Sequence, residues 1–230
     1  MATRPFFVAT LFAAAIAPVH ADVGGSLAVQ SDTRWRGLSY SDGKPQAQAS
    51  VAVDHADSGL YGGALLTRVS FDYDRDSTAA QLYAGRVFRL QPGLDTEFGA
   101  QYTHFAALTR YDYGEVFAGL LGEAWNTRLY LSNDYFGSGQ RSAYVELNLQ
   151  QPLPWGLSGQ AHVGWLRGIG RARWPNPDGD SRPDWRIGVA RRMGVFEAQL
   201  GWVGATRGGP YTWVSAAHRE ALVLGLSASF

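Results

Sequence analysis

The sequence predicts an all-β protein: a transmembrane, antiparallel, up-and-down β-barrel of about 12 strands with both termini on the periplasmic side. From Asp22 onward, segments of alternating apolar and polar residues follow one another, each near the length that a tilted membrane strand needs. The connections between them alternate between short and long, and aromatic residues gather near the segment ends. Short periplasmic turns, longer external loops and aromatic girdles are typical of membrane barrels.

Residues 1–21 have the pattern of a cleaved signal peptide. Arg4 precedes an apolar run over residues 6–17, and residues 19–21 form a small-residue cleavage site. The run is shorter than the roughly 20 residues of a membrane-spanning helix. We therefore expect export, cleavage after this segment and a single mature domain, an outer-membrane barrel over residues 22–230.

The opening strand is predicted to continue through Arg36, because polar and apolar side chains alternate up to that point. Its polar side carries Gln30, Asp32, Arg34 and Arg36, and its apolar side carries Leu27, Val29, Thr33 and Trp35. Residues 41–45, which contain Gly and Pro, predict a turn. A second strand follows over residues 46–54, where Ala and Val alternate with Gln, Ser and Asp.

The later strands are predicted from the same alternation, each ended by a turn or loop signal. The third strand, residues 61–73, places Arg68 on its polar side. In the fourth strand Arg86 falls on the apolar side, which a bulge or a position near the lipid headgroups would explain. Residues 167–182, with Gly, Pro and Arg, predict a long loop. The fourth to twelfth strands are predicted at residues 80–90, 94–103, 113–121, 125–135, 143–150, 157–165, 184–191, 195–205 and 221–230.

The segment from Ser31 to Gly63 resembles the opening signature of the TorF family of outer-membrane porins. The matching residues are Ser31, Asp32, Arg34, Arg36, Gly37, Leu38 and Ser39, then Ser41 to Pro45, Gln48, Ser58, Gly59, Tyr61 and Gly63. Through the rhythm of its strands and its C-terminal Phe230, the rest of the mature chain extends this resemblance. The resemblance implies a bacterial outer-membrane barrel with a transport role and leaves the substrate open.

Charged residues on the polar side of the strands are the candidate lumen-lining residues. A single Arg or Lys facing lipid at the middle of the bilayer costs about 2–4 kcal/mol, so this many charges are expected to face the lumen. The candidates are Asp32, Arg34, Arg36, Asp54, Arg68, Asp72, Glu97, Glu115, Arg128, Glu146, Arg186 and Glu197.

Two functions remain open for such an interior. One is a charge-lined pore for passive diffusion of small polar solutes or ions, in which Arg34 and Arg36 would form a positive site near the constriction. In the other, the charges pair and fill the interior, for example with Glu97, Glu115 or Glu146 as partners, and the protein conducts little. A barrel of about twelve strands lies between eight-stranded barrels, which are packed solid, and sixteen-stranded barrels, which leave a channel.

Composition and motifs argue against several other classes. The chain has no Cys and no net charge, and no basic patch points to nucleic acid. We expect no cofactor and no metal, because the His residues lack ligand spacing. An outer-membrane hydrolase is a weaker alternative, since Ser158 and His162 share a side of one strand but lie too far apart for direct contact. A closed barrel for structure or surface interaction is a third class.

The expected partners follow from the predicted location in the bacterial outer membrane. They are outer-membrane lipid, small polar solutes and the outer-membrane assembly machinery. Phe230, which ends a strand of alternating apolar residues, resembles the assembly signal of outer-membrane proteins.

Overall fold

The computed structural model describes residues 22–71, 74–170, 176–210 and 219–230. The predicted signal peptide, residues 1–21, lies outside these residues, and so does the candidate lumen residue Asp72. Apart from three 3₁₀ turns (Thr109–Tyr111, Tyr135–Gly137 and Pro154–Gly156), the regular structure described is all β. Among these residues, no helix is long and apolar enough to cross a membrane.

Fourteen strands are described, of which twelve form the barrel and two form a short hairpin. The hairpin strands are β2 (Arg34–Trp35) and β3 (Leu38–Ser39). The barrel strands are β1 (Asp22–Gln30), β4 (Gln46–His55), β5 (Leu60–Val69), β6 (Ser77–Gln91), β7 (Leu94–Phe105), β8 (Tyr113–Leu121), β9 (Trp125–Ser132), β10 (Arg141–Leu153), β11 (Leu157–Ile169), β12 (Ser181–Met193), β13 (Phe196–Ala205) and β14 (Glu220–Ser229).

Each barrel strand pairs antiparallel with its neighbour in the chain, and β1 closes the barrel by pairing with β14. The prediction of an all-β, antiparallel barrel of about twelve strands is therefore confirmed. At the seam, Phe230 N–H donates to Gly25 O at 3.0 Å, and Gly25 N–H donates to Phe230 O at 2.8 Å. The last residue thus takes part in closing the barrel.

The two ends of the barrel differ in the length of their connections. Both described chain ends lie at the short-turn end, and the opposite end is the long-loop end. The short-turn end has connections at residues 56–59, 92–93, 122–124, 154–156 and 194–195, and the long-loop end has those at 31–45, 70–76, 106–112, 133–140, 170–180 and 206–219. In outer-membrane barrels the short turns face the periplasm, so this asymmetry is the predicted one.

Side chains alternate between an apolar outer surface and a mostly polar interior. Large apolar residues on the outside remain exposed, among them Leu27, Val116, Val163, Ile187 and Leu222. Buried inward positions include Ser26, Thr67, Gln81, Glu97, Thr103, Glu115, Asn126, Arg128, Ser142, Glu146, Asp184 and Gln199. This is the side-chain pattern that a bilayer outside and a polar interior require.

The opening strand ends at Gln30, so its predicted continuation to Arg36 is wrong. Residues 31–45, here called the plug segment, instead fold back into the barrel as the β2–β3 hairpin. The turn uses left-handed backbone at Arg36 (φ 47°) and Gly37 (φ 75°). Only glycine fits at position 37, because an added Cβ would lie 2.4 Å from Gly204 O. A hairpin strand has the same alternation as a wall strand, so periodicity alone did not distinguish them.

The orientation of β5 is the reverse of the prediction. Thr67 and Val69 are buried, whereas Arg68 is exposed and lies on the outer side, where it donates to Asp76 Oδ2 at 2.7 Å. The prediction that Arg68 faces the lumen is therefore wrong. Both sides of this strand carry apolar residues, and Val69 can face inward because it packs in the interior core that also contains Tyr40 of the plug segment.

Candidate solute pathway

The plug segment packs against the interior at the long-loop end. Tyr40 is 5% exposed, and its ring contacts those of Phe71, Phe105 and Phe136 at centroid distances of 5.8, 6.3 and 6.3 Å. Its backbone is also held, since Tyr40 N–H donates to Thr33 O and Tyr40 O accepts from Ser70 N–H, both at 2.6 Å. An aromatic cluster thus narrows the long-loop half of the lumen.

Asp32 holds the plug segment together from within. Its carboxylate accepts hydrogen bonds from Ser39 Oγ at 2.5 Å, Ser41 Oγ at 2.9 Å and Arg34 Nε at 2.7 Å. Arg34 Nη1 also donates to Gly37 O at 2.7 Å. The structure places Asp32 and Arg34 together as an ion pair inside the plug segment, so their charges offset each other locally.

Arg36 at the tip of the plug segment reaches the barrel wall. Its Nη2 donates to both carboxylate oxygens of Glu115, at 2.8 and 2.7 Å, and its guanidinium lies 4.0 Å from the ring centroid of Tyr144. Gln101 Nε2 donates to the same carboxylate at 2.6 Å. Arg36 and Glu115 are both buried, and their ion pair joins the tip of the plug segment to β8.

A second buried ion pair lies on the neighbouring strands of the wall. Arg128 Nε donates to Glu97, whose other oxygen accepts from Tyr61 OH at 2.5 Å. Arg128 Nη1 lies 4.0 Å from Glu146 Oε1. Glu97 and Arg128 are 1% and 5% exposed, so these charges are removed from water and satisfied by each other.

His162 belongs to a polar network farther around the barrel. Its Nε2 lies 2.9 Å from Asp184 Oδ1, its Nδ1 lies 2.6 Å from Asn148 Oδ1, and Tyr144 OH donates to the same Asp184 oxygen at 3.2 Å. Both ring nitrogens therefore have partners, and Ser158 is not one of them. In this arrangement His162 does not activate Ser158 as a nucleophile.

The other predicted lumen residues have different hydrogen-bond and ion-pair partners. Arg186 Nη2 donates to Gln199 Oε1 at 2.5 Å on the adjacent strand. Glu197 lies near the short-turn end, 3.7 Å from Arg192 Nη2, and Asp54 is half-buried near the same end. Among the described residues, no group of three or more His, Asp or Glu side chains could hold a metal ion.

Charged residues are concentrated on one part of the inner wall. We call the inner face of β7–β12 the charged wall; it carries Glu97, Glu115, Arg128, Glu146, His162, Arg182, Asp184 and Arg186. We call the inner face of β1 and β4–β6 the neutral wall. Away from the short-turn end, its described inward positions carry hydroxyls, amides and apolar groups, for example Ser26 and Ser50, whose Oγ atoms lie 2.7 Å apart.

A cavity of about 50 Å³ lies between the neutral wall and the plug segment. The wall lines it with Gln30, Gln48, Leu65, Thr67, Ala79 and Gln81, β7 adds Thr103, and the plug segment adds Thr33, Arg34, Trp35 and Tyr40. Of the predicted site residues only Arg34 is among them. The prediction from sequence missed the glutamines because only charged residues were considered as candidates. Their position on the inward-facing side of an alternating strand was the available signal.

A family profile described as "Bacterial protein of unknown function (Gcw_chp)" matches residues 13–230. The fold that the resemblance to TorF porins implies is the one observed, and the family that the profile match shows is Gcw_chp. No match to a curated protein sequence was found.

Several solved structures share the fold. The chain is similar to the KdgM porin, with a TM-score of 0.55, 7% identity and coverage of 92% of this chain and 99% of that chain. It is similar to the KdgM porin in complex with disordered oligogalacturonate, with a TM-score of 0.51, 8% identity and coverage of 92% and 99%. An outer membrane channel from Pseudomonas putida gives a TM-score of 0.50, 18% identity and coverage of 93% and 96%. At these identities the similarity shows the fold alone.

Proposed function

The chain belongs to the Gcw_chp family, whose function is unknown, and we propose that it is an outer-membrane channel for small polar solutes, closed on its long-loop side by the plug segment. The observation that carries this proposal is the origin of the closure. Many of the residues that fill the mouth come from connections between strands and not from the barrel wall: Leu38 and Tyr40 from the plug segment, and Phe71, Leu108, Tyr135 and Phe136 from three other connections at the long-loop end. A connection can move while the hydrogen-bonded wall stays intact, so a closed and an open state are both compatible with this barrel.

The polar interior supports a channel for solutes that prefer water to lipid. Amides, hydroxyls and charged groups of both signs line it, and the twelve-stranded barrel is wider than the eight-stranded ones that side chains fill. The KdgM porin, which has a similar fold, has been solved in complex with disordered oligogalacturonate, and the opening segment resembles TorF porins, so both similarities favour a transport role. The predicted positive site for anions is not supported, because Arg34 and Arg36 are each paired with a carboxylate.

A closed barrel with a structural or surface role is the second candidate. It is favoured by the aromatic cluster, in which Leu38, Phe105, Tyr135 and Phe136 are all nearly fully buried. A barrel filled in this way would not conduct at all unless the cluster came apart. The two candidates therefore differ in what happens when the plug segment is removed.

The experiment is removal of residues 32–41, which leaves Ser31 and residues 42–45 to connect Gln30 with its paired residue Gln46. We expect low single-channel conductance and slow liposome swelling for the wild type, and a several-fold increase in both for the deletion variant. Lys44→Ala, at an exposed position of the same connection, is the matched control and should behave as the wild type. A folded deletion variant that conducts no better than lipid alone would support the closed barrel.

Location and processing are part of the same proposal. We infer that residues 1–21 direct export and are removed, that the barrel lies in the bacterial outer membrane, and that Phe230 is read by the assembly machinery. The apolar outer surface and residue Phe230, which is 78% exposed at the short-turn end, support this. Amino-terminal sequencing of protein from outer membranes should begin at Asp22. Deletion of Phe230 should lower the yield of heat-modifiable barrel, and Phe230→Leu, which keeps the backbone bonds to Gly25, should lower it less.

A further inference from the structure

We infer that the cavity between the neutral wall and the plug segment is a binding subsite for an uncharged, hydroxyl-rich solute, a polyol or a sugar; this inference names the substrate class of the channel proposed above and rests on that proposal. The cavity lies beside the plug segment, within the lumen. Any solute that passes the plug segment on this side meets its lining groups first.

The lining glutamines have spare hydrogen-bonding capacity. Among the described residues, the side-chain amides of Gln30 and Gln81 make no hydrogen bond. The side chain of Gln48 makes only a long one, 3.4 Å from Nε2 to Thr33 Oγ1. Gln81 is nevertheless 6% exposed, so its amide faces a confined space and not bulk water. Each amide offers two donors and one acceptor, which matches hydroxyl groups that both donate and accept.

The strand register places these groups side by side. Gln48 is directly opposite Thr67 across β4 and β5, and Gln81 is directly opposite Thr103 across β6 and β7. Opposite side chains on paired strands are about 4.5–5.5 Å apart at Cβ, so one solute can contact both members of such a pair. A volume of about 50 Å³ holds three or four water-sized groups, enough for the hydroxyl edge of a solute whose remainder lies in the lumen.

The charge of the lining excludes ionic solutes from this subsite. Its one formally charged residue, Arg34, is paired with Asp32 at 2.7 Å, and no carboxylate is among the described lining residues. An anion or a cation would lose water here without gaining an opposite charge, whereas a neutral polyol exchanges water for amides and hydroxyls. Trp35, stacked on Tyr40 with ring centroids 6.2 Å apart, adds an aromatic surface beside these polar groups.

The test compares three probes that share a six-carbon polyol skeleton: sorbitol, which is neutral, gluconate, an anion, and glucamine, a cation. Binding to the purified full-length barrel in detergent is measured by titration calorimetry. We expect sorbitol to bind more tightly than either ion. Gln81→Leu, which replaces the amide with an apolar side chain, should weaken sorbitol binding about tenfold.

Gln160→Leu is the matched control, because Gln160 is an inward glutamine on β11 that does not line the cavity. It should bind sorbitol as the wild type does. If Gln81→Leu fails to fold, as judged by heat-modifiable migration, Gln30→Leu tests the same subsite. Equal binding of the three probes, no binding of sorbitol, or equal losses in the Gln81 and Gln160 variants would overturn the inference.

Liposome swelling separates this inference from the channel proposal. In one outcome sorbitol binding depends on Gln81, but liposomes do not swell in any solute, even when the barrel lacks residues 32–41. That result would support the subsite and refute the channel. In the other outcome liposomes swell, but Gln81→Leu does not change sorbitol binding. That result would support the channel and refute the subsite.

Discussion

The neutral wall and the charged wall occupy the same lumen and are built from strands of the same kind, yet their polar groups do different things. On the charged wall, Arg128 is held by Glu97, and Glu115 holds Arg36 of the plug segment. On the neutral wall, the amides of Gln30 and Gln81 have no partner among the described residues. The buried ion pairs of the charged wall therefore fix the structure, and the side-chain amides of the neutral wall are left to contact a solute.

The physical reason for this difference is the cost of removing a charge from water. An unpaired buried charge destabilises the fold by several kcal/mol, so buried charges such as Arg128 and Glu97 pair with each other, whereas Arg186 donates to the side-chain amide of Gln199. A side-chain amide that has only water as its hydrogen-bond partner lowers the stability of the fold much less. Four substitutions test this difference between the two walls.

The largest effect is expected for Glu115→Gln on the charged wall. The change leaves the Arg36 guanidinium buried without its carboxylate, and removal of one partner of a buried ion pair costs about 3–5 kcal/mol. Urea unfolding in lipid vesicles measures it. On the neutral wall Gln81→Leu should cost about 1 kcal/mol or less. The double variant Arg36→Leu, Glu115→Leu should regain much of the loss, and similar costs for the two walls would contradict the contrast.

Tyr61→Phe tests the contact that joins the walls. Tyr61 lies on β5 and donates to Glu97 on β7, and a hydrogen bond to a charged group contributes about 1.5–3 kcal/mol. The neighbouring Tyr83→Phe is the control, since no hydrogen bond of its hydroxyl is described and its ring lies 6.3 Å from that of Tyr61. If both variants unfold at the same urea concentration, Tyr61 does not support the Glu97–Arg128 pair.

Gly164→Ala tests how tightly the charged wall is packed. An added Cβ would lie 2.1 Å from Tyr144 OH and 2.6 Å from Asp184 Oδ2, so the His162 network must shift. Such overpacking costs about 1–3 kcal/mol. In Gly114→Ala the nearest atoms lie at 3.7 Å, an ordinary contact, and thermal unfolding should show no loss. A wall that accepts both changes equally would be looser than the structure describes.

The smallest effect is expected for Arg68→Gln. Arg68 and Asp76 form an ion pair outside the lumen with side chains 60% and 53% exposed, and exposed pairs contribute little. Hydrogen bonds from Ser70 and from Arg68 hold the pKa of Asp76 below its ordinary value. The pair therefore persists at neutral pH and is lost only when acid protonates Asp76. The conductance and the unfolding of the variant at neutral pH should match those of the wild type. Altered conductance would indicate that Arg68 faces the lumen.

The twelve barrel strands and their order could be predicted because the surroundings of a membrane barrel constrain every strand alike. Each strand must show an apolar side to lipid, so alternation recurs along the chain, as in β10 and β14. The prediction did less well where the interior is apolar. On β5, Val69 packs inside the barrel, so both faces of the strand carry apolar residues. The difference in polarity from which Arg68 was assigned to the inner face is therefore absent.

Local alternation and turn residues were enough to predict the fold class, a barrel of about twelve strands and the polar character of the lumen. The tertiary structure was needed to show that residues 31–45 enter the barrel, that Arg36 contacts Glu115, and that the side-chain amides of Gln30 and Gln81 have no partner among the described residues. These contacts join residues far apart in the chain, such as Arg36 and Glu115. The pairing of buried charges depends on which side chains the closed barrel brings within a few ångströms, and no local pattern encodes that distance.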